Sequence, residues 1–391
     1  MDKSEVLILT EPSDLHAIVV AGVLRQKGHE AVLLCTADFP TQQWRTVFVS
    51  QDDVSWNISD SEFTLDDQRF DTVWFRRVSN DPVLPEDLHI GDHQIAQRSC
   101  RAFTQSLWQI ISPEAFWVND LASRGRATSK PIQLLEASRS GLKIPPTLFS
   151  NDPKKIQNFV SRHEGRVVFK SHRPAAWKFD GGIALSYTSE LALSDLPDDE
   201  ILELSSGIFQ ERIEKEYEIR ATYIGNLGIA AKLITQIHST TRLDWRESYK
   251  DIVVEQLKSL PPPVDLACRN LMKRLGIVFG CFDLIMTPQG EYVFLEVNEM
   301  GQFLWIEEAN PQIMLLDPFC EFLVQREVDF DWKRGESALR LDAFMEDALS
   351  RMDEARLKHV NRRPPHLVSD HDSRIGMAAC PNPKMVQGWQ S

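Results

Sequence analysis

The sequence predicts an α/β protein, and three observations carry that reading. The chain opens on a strand, a helix and a second strand in quick succession; a strand-rich stretch begins near residue 207; and a long apolar hairpin in that stretch ends in acidic residues.

The opening unit starts with Val6-Leu7-Ile8-Leu9, apolar enough for a buried strand. Residues 14–27 follow with Leu15, Ile18, Val19, Val23 and Leu24 at helical spacing; Gly28 ends the helix, and Ala31-Val32-Leu33-Leu34 is the next strand. Strand, helix, strand is the start of an α/β unit. The loop after the first strand, Thr10-Glu11-Pro12-Ser13, has no glycine, which excludes a dinucleotide fingerprint. Phe63-Thr64-Leu65 and Thr72-Val73-Trp74-Phe75 read as further strands, with Arg76-Arg77 at the end of the second. Residues 92–111 read as a long helix carrying Ile95, Phe103, Leu107 and Ile110, so residues 1–118 are expected to form one small α/β domain.

A helix over 128–139, with Ile132, Leu134, Leu135 and Ala137, is closed by Gly141 and stopped by Pro145-Pro146. A helix over 152–163, the strand Arg166-Val167-Val168-Phe169-Lys170 and a polar loop with Gly181-Gly182 complete a second segment, 119–205. The third, 206–330, holds strands at 208–211, 217–224 and 229–233, with Gly225-Asn226-Leu227-Gly228 as a hairpin turn. A helix over 263–275, carrying Leu266, Leu271, Met272 and Leu275, leads into strands 278–286 and 291–297, joined across Thr287-Pro288-Gln289-Gly290. In the last segment, 331–391, residues 336–358 read as one amphipathic helix. From Asn361 the chain is polar, holds four Pro and lacks periodicity, the pattern of a disordered tail.

Composition narrows the function classes. A chain of 391 residues with 42% hydrophobic content supports two or three domains. A net charge of -14 gives no general reason to bind nucleic acid or an anionic membrane. The six Cys form no CxxC pair, which points to free thiols in a reducing compartment, with Cys100, Cys281 and Cys320 in the core. The N-terminus lacks the apolar stretch of a signal peptide and no run of 18 apolar residues occurs, so a cytoplasmic location is expected.

The strongest candidate site is the last hairpin. Asp283 lies in one strand, while Glu296 and Asn298 end the other; period two puts Glu296 and Asn298 on one face, and the turn brings them back beside Asp283. Two carboxylates and an amide oxygen are hard ligands suited to Mg²⁺, and like charges so close need a cation between them. A solvated sheet edge is the plain alternative. There is no Walker A motif, no HExxH and no Cys/His cluster. Lys130 near a helix start and Lys170 at the end of an apolar strand are candidate phosphate contacts, or else surface lysines. Gly181-Gly182 would let backbone N–H groups approach a phosphate. Glu211 ends a strand whose edge suits an adenine and whose carboxylate suits a ribose. Arg220 and Arg246 carry the planar fork that recognises carboxylate or phosphate, with surface ion pairing as the alternative.

In their order, Lys130, Lys170, Glu211, Arg220, Arg246, Asp283, Glu296 and Asn298 resemble the ATP-grasp superfamily. Val73-Trp74-Phe75-Arg76-Arg77, the stretch from Ser129-Lys130-Pro131 to Pro146-Thr147, Asp244-Trp245-Arg246 and, most specifically, Glu296-Val297-Asn298-Glu299-Met300-Gly301-Gln302-Phe303-Leu304-Trp305 are similar to the microviridin-type peptide maturases, the graspetide synthetases. The ribosomal S6 glutamate ligase type is a more distant likeness. That family more often has Pro where Glu299 stands and Trp where Phe303 stands, and neither difference removes a ligand. The likeness covers about residues 4–325 and implies an ATP-grasp fold, α/β with α+β grasp domains, behind an N-terminal pre-ATP-grasp domain. It implies that Lys130, Lys170 and Glu211 hold ATP, that Asp283, Glu296 and Asn298 hold Mg²⁺, and that Arg220 and Arg246 act on the carboxylate or its acyl phosphate. The implied partner is a precursor peptide with a leader and an acidic core, the leader seated around residues 171–210, where Trp177, Phe179 and Tyr187 are either exposed anchors or core. Nucleic acid and membrane are not expected, and a homodimer stays open. The implied reaction is ester or amide cross-linking within the peptide; the alternative is addition of a free amino acid, as in the S6 type.

Overall fold

The computed structural model describes residues 3–172, 176–179, 182–185, 188–236, 252–330, 332, 333, 335 and 338–360; side chains are described outside 173–187. The chain begins with β1 (Glu5–Thr10), α1 (Leu15–Gln26) and β2 (Glu30–Cys35), then a short antiparallel meander of β3 (Trp44–Val49), β4 (Val54–Ser59) and β5 (Thr64–Asp66). β6 (Thr72–Phe75), α2 (Ile90–Ile110) and β7 (Phe116–Val118) complete a parallel sheet of order β2-β1-β6-β7. Val6, Leu7, Ile8 and Leu9 have no exposed surface, because β1 lies inside the sheet with both faces covered. The chain steps to opposite sides of β1 for β2 and β6, which makes the carboxyl ends of β1 and β6 the topological switch point.

Next come α3 (Leu121–Ala127), α4 (Lys130–Arg139), β8 (Thr147–Ser150), α5 (Pro153–Arg162), β9 (Val167–Lys170), β10 (Ala176–Phe179), β11 (Gly182–Leu185), β12 (Ser189–Leu191), α6 (Asp199–Leu204) and β13 (Gly207–Glu211). β12-β9-β13-β8 form a four-stranded antiparallel sheet, and β10 pairs with β11. The last sheet, antiparallel and five-stranded, has the order β16-β15-β14-β17-β18: β14 (Tyr217–Ile224), β15 (Leu227–Ile234), β16 (Val253–Leu257), β17 (Phe279–Met286) and β18 (Tyr292–Asn298). α7 (Pro262–Leu275) precedes β17, and α8 (Leu304–Ala309), α9 (Leu316–Gln325) and α10 (Met345–Lys358) close the chain.

The five-stranded sheet is covered on both faces. Ile219, Ala221, Tyr223, Phe282, Phe294 and Val297 pack with Leu134 and Ala137 of α4 and Leu271 and Leu275 of α7. Phe279 and Cys281 face the other way, into a cluster that continues through Phe303, Phe319 and Phe322 to Val6, Ile8 and α1. Among the described residues no helix is long and apolar enough to cross a membrane.

The structure corrects several expectations. The helix expected over 336–358 begins only at Met345. The backbone amides of Leu339 and Leu341 are taken by the carboxylates of Asp317 and Glu307, at 3.2 and 2.9 Å, which holds that stretch out of the helix. The helix expected over 128–139 is α4, which starts at Lys130, and the short α3 precedes it as a helix the sequence reading did not include. Ile95 and Leu266, counted among the apolar positions of their helices, are exposed; of the cysteines expected in the core, Cys100 is half-buried and Cys281 and Cys320 are buried. The tail from 361 lies outside the described residues.

Candidate active site

β17 and β18 form the base of the site. Asp283 stands opposite Glu296, Phe282 opposite Val297 and Cys281 opposite Asn298; the register then shifts so that Leu284 faces Phe294. Leu295 is thus an extra residue on β18, and this bulge resets the pleat. Phe294 and Val297 both enter the core against α4 and α7, while Glu296 and Asn298 share the face of Asp283. Unbroken alternation from Phe294 would have pointed Glu296 into that core.

Five of the expected residues meet here. Asp283 is 4% exposed, and its carboxylate accepts from Arg220 Nη1 at 2.7 Å across the ladder to β14. Arg220 Nη2 donates to the carbonyl of Gln302 at 3.1 Å. Lys130, the first residue of α4, sets its ammonium on the Glu296 carboxylate. Asn298 Oδ1 accepts from the backbone N–H of Met300 at 3.2 Å, closing the turn that leaves the strand. Each carboxylate therefore lies against a cation supplied by another element.

Lys170 and Glu211 belong to the four-stranded sheet instead, at opposite ends of the β9–β13 ladder, where Lys170 pairs with Ile208 and Glu211 with Val167. Lys170 Nζ donates to Gln210 Oε1 at 2.8 Å, and Gln210 Nε2 donates to Thr147 Oγ1 at 2.9 Å. Glu211 lies 3.8 Å from His163 Nδ1. Arg246, with Asp244 and Trp245, lies outside the described residues, as do Gly181, Tyr187 and the side chains of Trp177 and Phe179.

The N-terminal sheet reaches this site through residues to which the sequence assigned no role. Arg76, just past β6, is fully buried; its Nη1 donates to the carbonyls of Met300 and Gly301 and its Nη2 to Gln302 Oε1 at 3.0 Å. Arg76 Nε lies 3.1 Å from Asp14 Oδ2. Burial alone would raise the Asp14 carboxyl, but Arg76 and Arg77 hold it below its ordinary value. Burial, and then Arg76, push His16 well below its ordinary value, so it is a neutral ring packed edge-on to Phe303. Asn119, at the end of β7, donates to the carbonyls of Phe279 and Glu299 at 2.8 and 2.7 Å and accepts from the amides of Val278 and Phe279 at 2.8 and 2.9 Å. The sequence signals for Arg76 were a charge directly after an apolar strand and its place in the Val73–Arg77 stretch that resembles the maturases.

A parallel N-terminal sheet, a small antiparallel sheet and a larger sheet bearing paired carboxylates are the architecture of an ATP-grasp ligase with a pre-ATP-grasp domain. Residues 5–124 match the family model described as the MvdD pre-ATP grasp domain. The macrocyclase MdnC of Microcystis aeruginosa MRC, solved with the precursor peptide MdnA, is 28% identical, with a TM-score of 0.74 over 82% of this chain and 100% of that one. The macrocyclase MdnB of the same organism is 29% identical, with a TM-score of 0.70 over 82% and 99%. A Chryseobacterium gregarium RiPP-associated ATP-grasp ligase, solved with ADP and a leader and core peptide, shares the fold at 23% identity and a TM-score of 0.74, over 83% and 97%. No curated protein sequence matches the chain. Residues 5–124 match a pre-ATP-grasp domain, and over most of its length the chain is similar to ATP-grasp ligases associated with ribosomally made peptides.

Proposed function

We propose that this ligase cross-links a ribosomally made precursor peptide, activating Asp or Glu side chains with ATP and closing them onto hydroxyl or amine groups of the same peptide. The observation that carries the reading is the meeting of Asp283, Glu296 and Asn298 with Arg220 and Lys130 at one strand end. Its likeness to MdnC, solved with its precursor peptide, supports a peptide as substrate.

The donor set fits Mg²⁺: two carboxylates and an amide oxygen on one face, in a place that already holds two protein cations. Bound there, Mg²⁺ would neutralise charge on the β- and γ-phosphates. Lys130 and Lys170 are the residues for the phosphates of ATP, and Glu211 for its nucleoside end. Arg220 orients the attacking carboxylate or neutralises the acyl phosphate it becomes. Arg246 is given the same task by family resemblance alone. The peptide carboxylate attacks the γ-phosphorus and ADP leaves. A Ser, Thr or Lys side chain of the peptide then attacks the acyl carbon and phosphate departs, taking with ADP the elements of one water per ring. Exclusion of water protects the acyl phosphate between the two steps.

The test is co-expression with an acidic precursor peptide taken from a short open reading frame sought beside this gene. The product should be lighter by one water for each ring, with tandem mass spectra lacking fragments inside the rings. A peptide that instead gains the mass of an added amino acid overturns cross-linking in favour of the S6 type of reaction.

A further inference from the structure

α4 presents two residues of one helical face to β18. Lys130 meets Glu296; Gln133, one turn on, meets the next residue, Val297. Gln133 is 1% exposed. Its Nε2 donates to the carbonyl of Val297 at 2.8 Å, and its Oε1 accepts from the amide of Val297 at 3.1 Å. β18 is the edge strand of its sheet, so at Val297 the side-chain amide takes the place of a neighbouring strand. A third bond, from Nε2 to the carbonyl of Ala127, anchors the amide to the end of α3.

Val297 lies between Glu296 and Asn298 and directly after the bulge at Leu295. A bulge interrupts the ladder and leaves the strand beyond it less constrained. Asn298 is the last residue of β18, where the ladder ends and only the turn through Met300 holds its far side. The two bonds to Val297 hold the peptide planes on either side of it, and those planes set where both flanking side chains point.

We propose that Gln133 is a positioning residue for the cation site, holding Glu296 and Asn298 at the spacing the cation requires through its paired hydrogen bonds to Val297. This rests on the reading of Asp283, Glu296 and Asn298 as ligands. Removal of such an outer partner lowers metal affinity by about 10–100-fold in known sites.

The experiment measures Mn²⁺ binding to the full-length protein with ADP, by electron paramagnetic resonance, and binding of ADP alone by calorimetry. Asn298→Ala tests the ligand reading and should abolish tight Mn²⁺ binding. Gln133→Leu fills similar space without the amide and should weaken Mn²⁺ binding at least about tenfold while ADP alone binds as before. Gln133→Glu separates positioning from packing. Ionised, it accepts from Val297 but cannot donate; protonated, it offers the donor and acceptor of the native amide. Its deficit relative to wild type at the same pH should therefore shrink as pH falls, which a packing defect would not do. Wild-type Mn²⁺ affinity in Gln133→Leu, or a pH-independent deficit in Gln133→Glu, overturns the proposal while the ligand reading stands. Unchanged Mn²⁺ binding in Asn298→Ala overturns both.

Discussion

Arg76 is shut off from water, and its Nη atoms reach three successive residues, Met300, Gly301 and Gln302, beside the paired carboxylates. A guanidinium taken fully out of water needs a countercharge and partners for its donors: Asp14 supplies the charge beside Nε, and the carbonyls of Met300 and Gly301 with Gln302 Oε1 accept from the Nη atoms. Replacing it by Met keeps the bulk but takes the nearer cation from the Asp14 carboxylate, leaving Arg77 at 4.0 Å and the Thr10 hydroxyl. Arg76→Met is expected to lose about 3–5 kcal/mol in urea unfolding, because a buried charge is left without its nearer partner. Arg76→Met combined with Asp14→Asn should recover part of that loss. A single variant as stable as wild type would show that the pair contributes little. The meeting of Asp283, Glu296 and Asn298 was legible at this scale, since they are oxygen donors on two apolar strands joined by one hairpin. Gln133 was not: within the stripe of Gln133, Leu134 and Ala137 it reads as one polar interruption, and its bonds go to a strand more than 160 residues away.

Elements with strong periodicity were read correctly from sequence: β1, α1 and the β17–β18 hairpin follow from runs of apolar residues and a glycine turn. The bulge at Leu295 was invisible, because nothing in Phe294-Leu295-Glu296 departs from alternation that a strand could tolerate. The short helices α8 and α9 also escaped the reading; α8 has only six residues, and buried Glu307 and Asp317 break the apolar pattern of the two. The turn after β18 has a requirement of its own. A Cβ on Gly301 would lie 2.2 Å from Cys281 Sγ and 2.7 Å from Cys281 Cβ, so only glycine lets this turn close over β17. Gly301→Ala must push Cys281, two residues before Asp283, or shift the turn that Asn298 begins. The expected cost is about 1–3 kcal/mol of stability in denaturant titration, with a larger proportional loss of peptide-dependent ADP release. Adding Cys281→Ala should return part of both. Full activity in Gly301→Ala would mean that the turn does not govern the ligands.

Over the whole molecule, the first and last elements are held as one body. α10 lies against α1, and just beyond it His359 Nδ1 sits 2.7 Å from Asp38 Oδ2 while the Val360 amide donates to Asp38 Oδ1 at 2.8 Å. The hydrogen bond to Asp38 raises the His359 pKa above 6.5 against the opposing effect of burial; Asp60 adds to the rise and Lys358 opposes it, while Arg45 is the buried cation facing Asp38. The folded state therefore binds this proton more tightly than the unfolded chain. Its stabilisation is complete below pH 6.5 and is lost as pH rises through the higher folded value. The melting-temperature gap between wild type and His359→Phe should be widest on the acid side and close as pH rises; a gap that is constant with pH would exclude the ion pair as its source. At the other end of the same body, Gln302 is shared: its side chain serves Arg76 of the N-terminal sheet and its carbonyl serves Arg220 of the five-stranded sheet. An exchange of N-terminal domains between relatives meets that shared residue as a seam. A chimera joined in the linker after β7 separates Arg76 from the 300–302 segment it was shaped with, so the graft has to carry Asp14, Arg76, Asn119 and residues 299–302 together, although they are far apart in the gene.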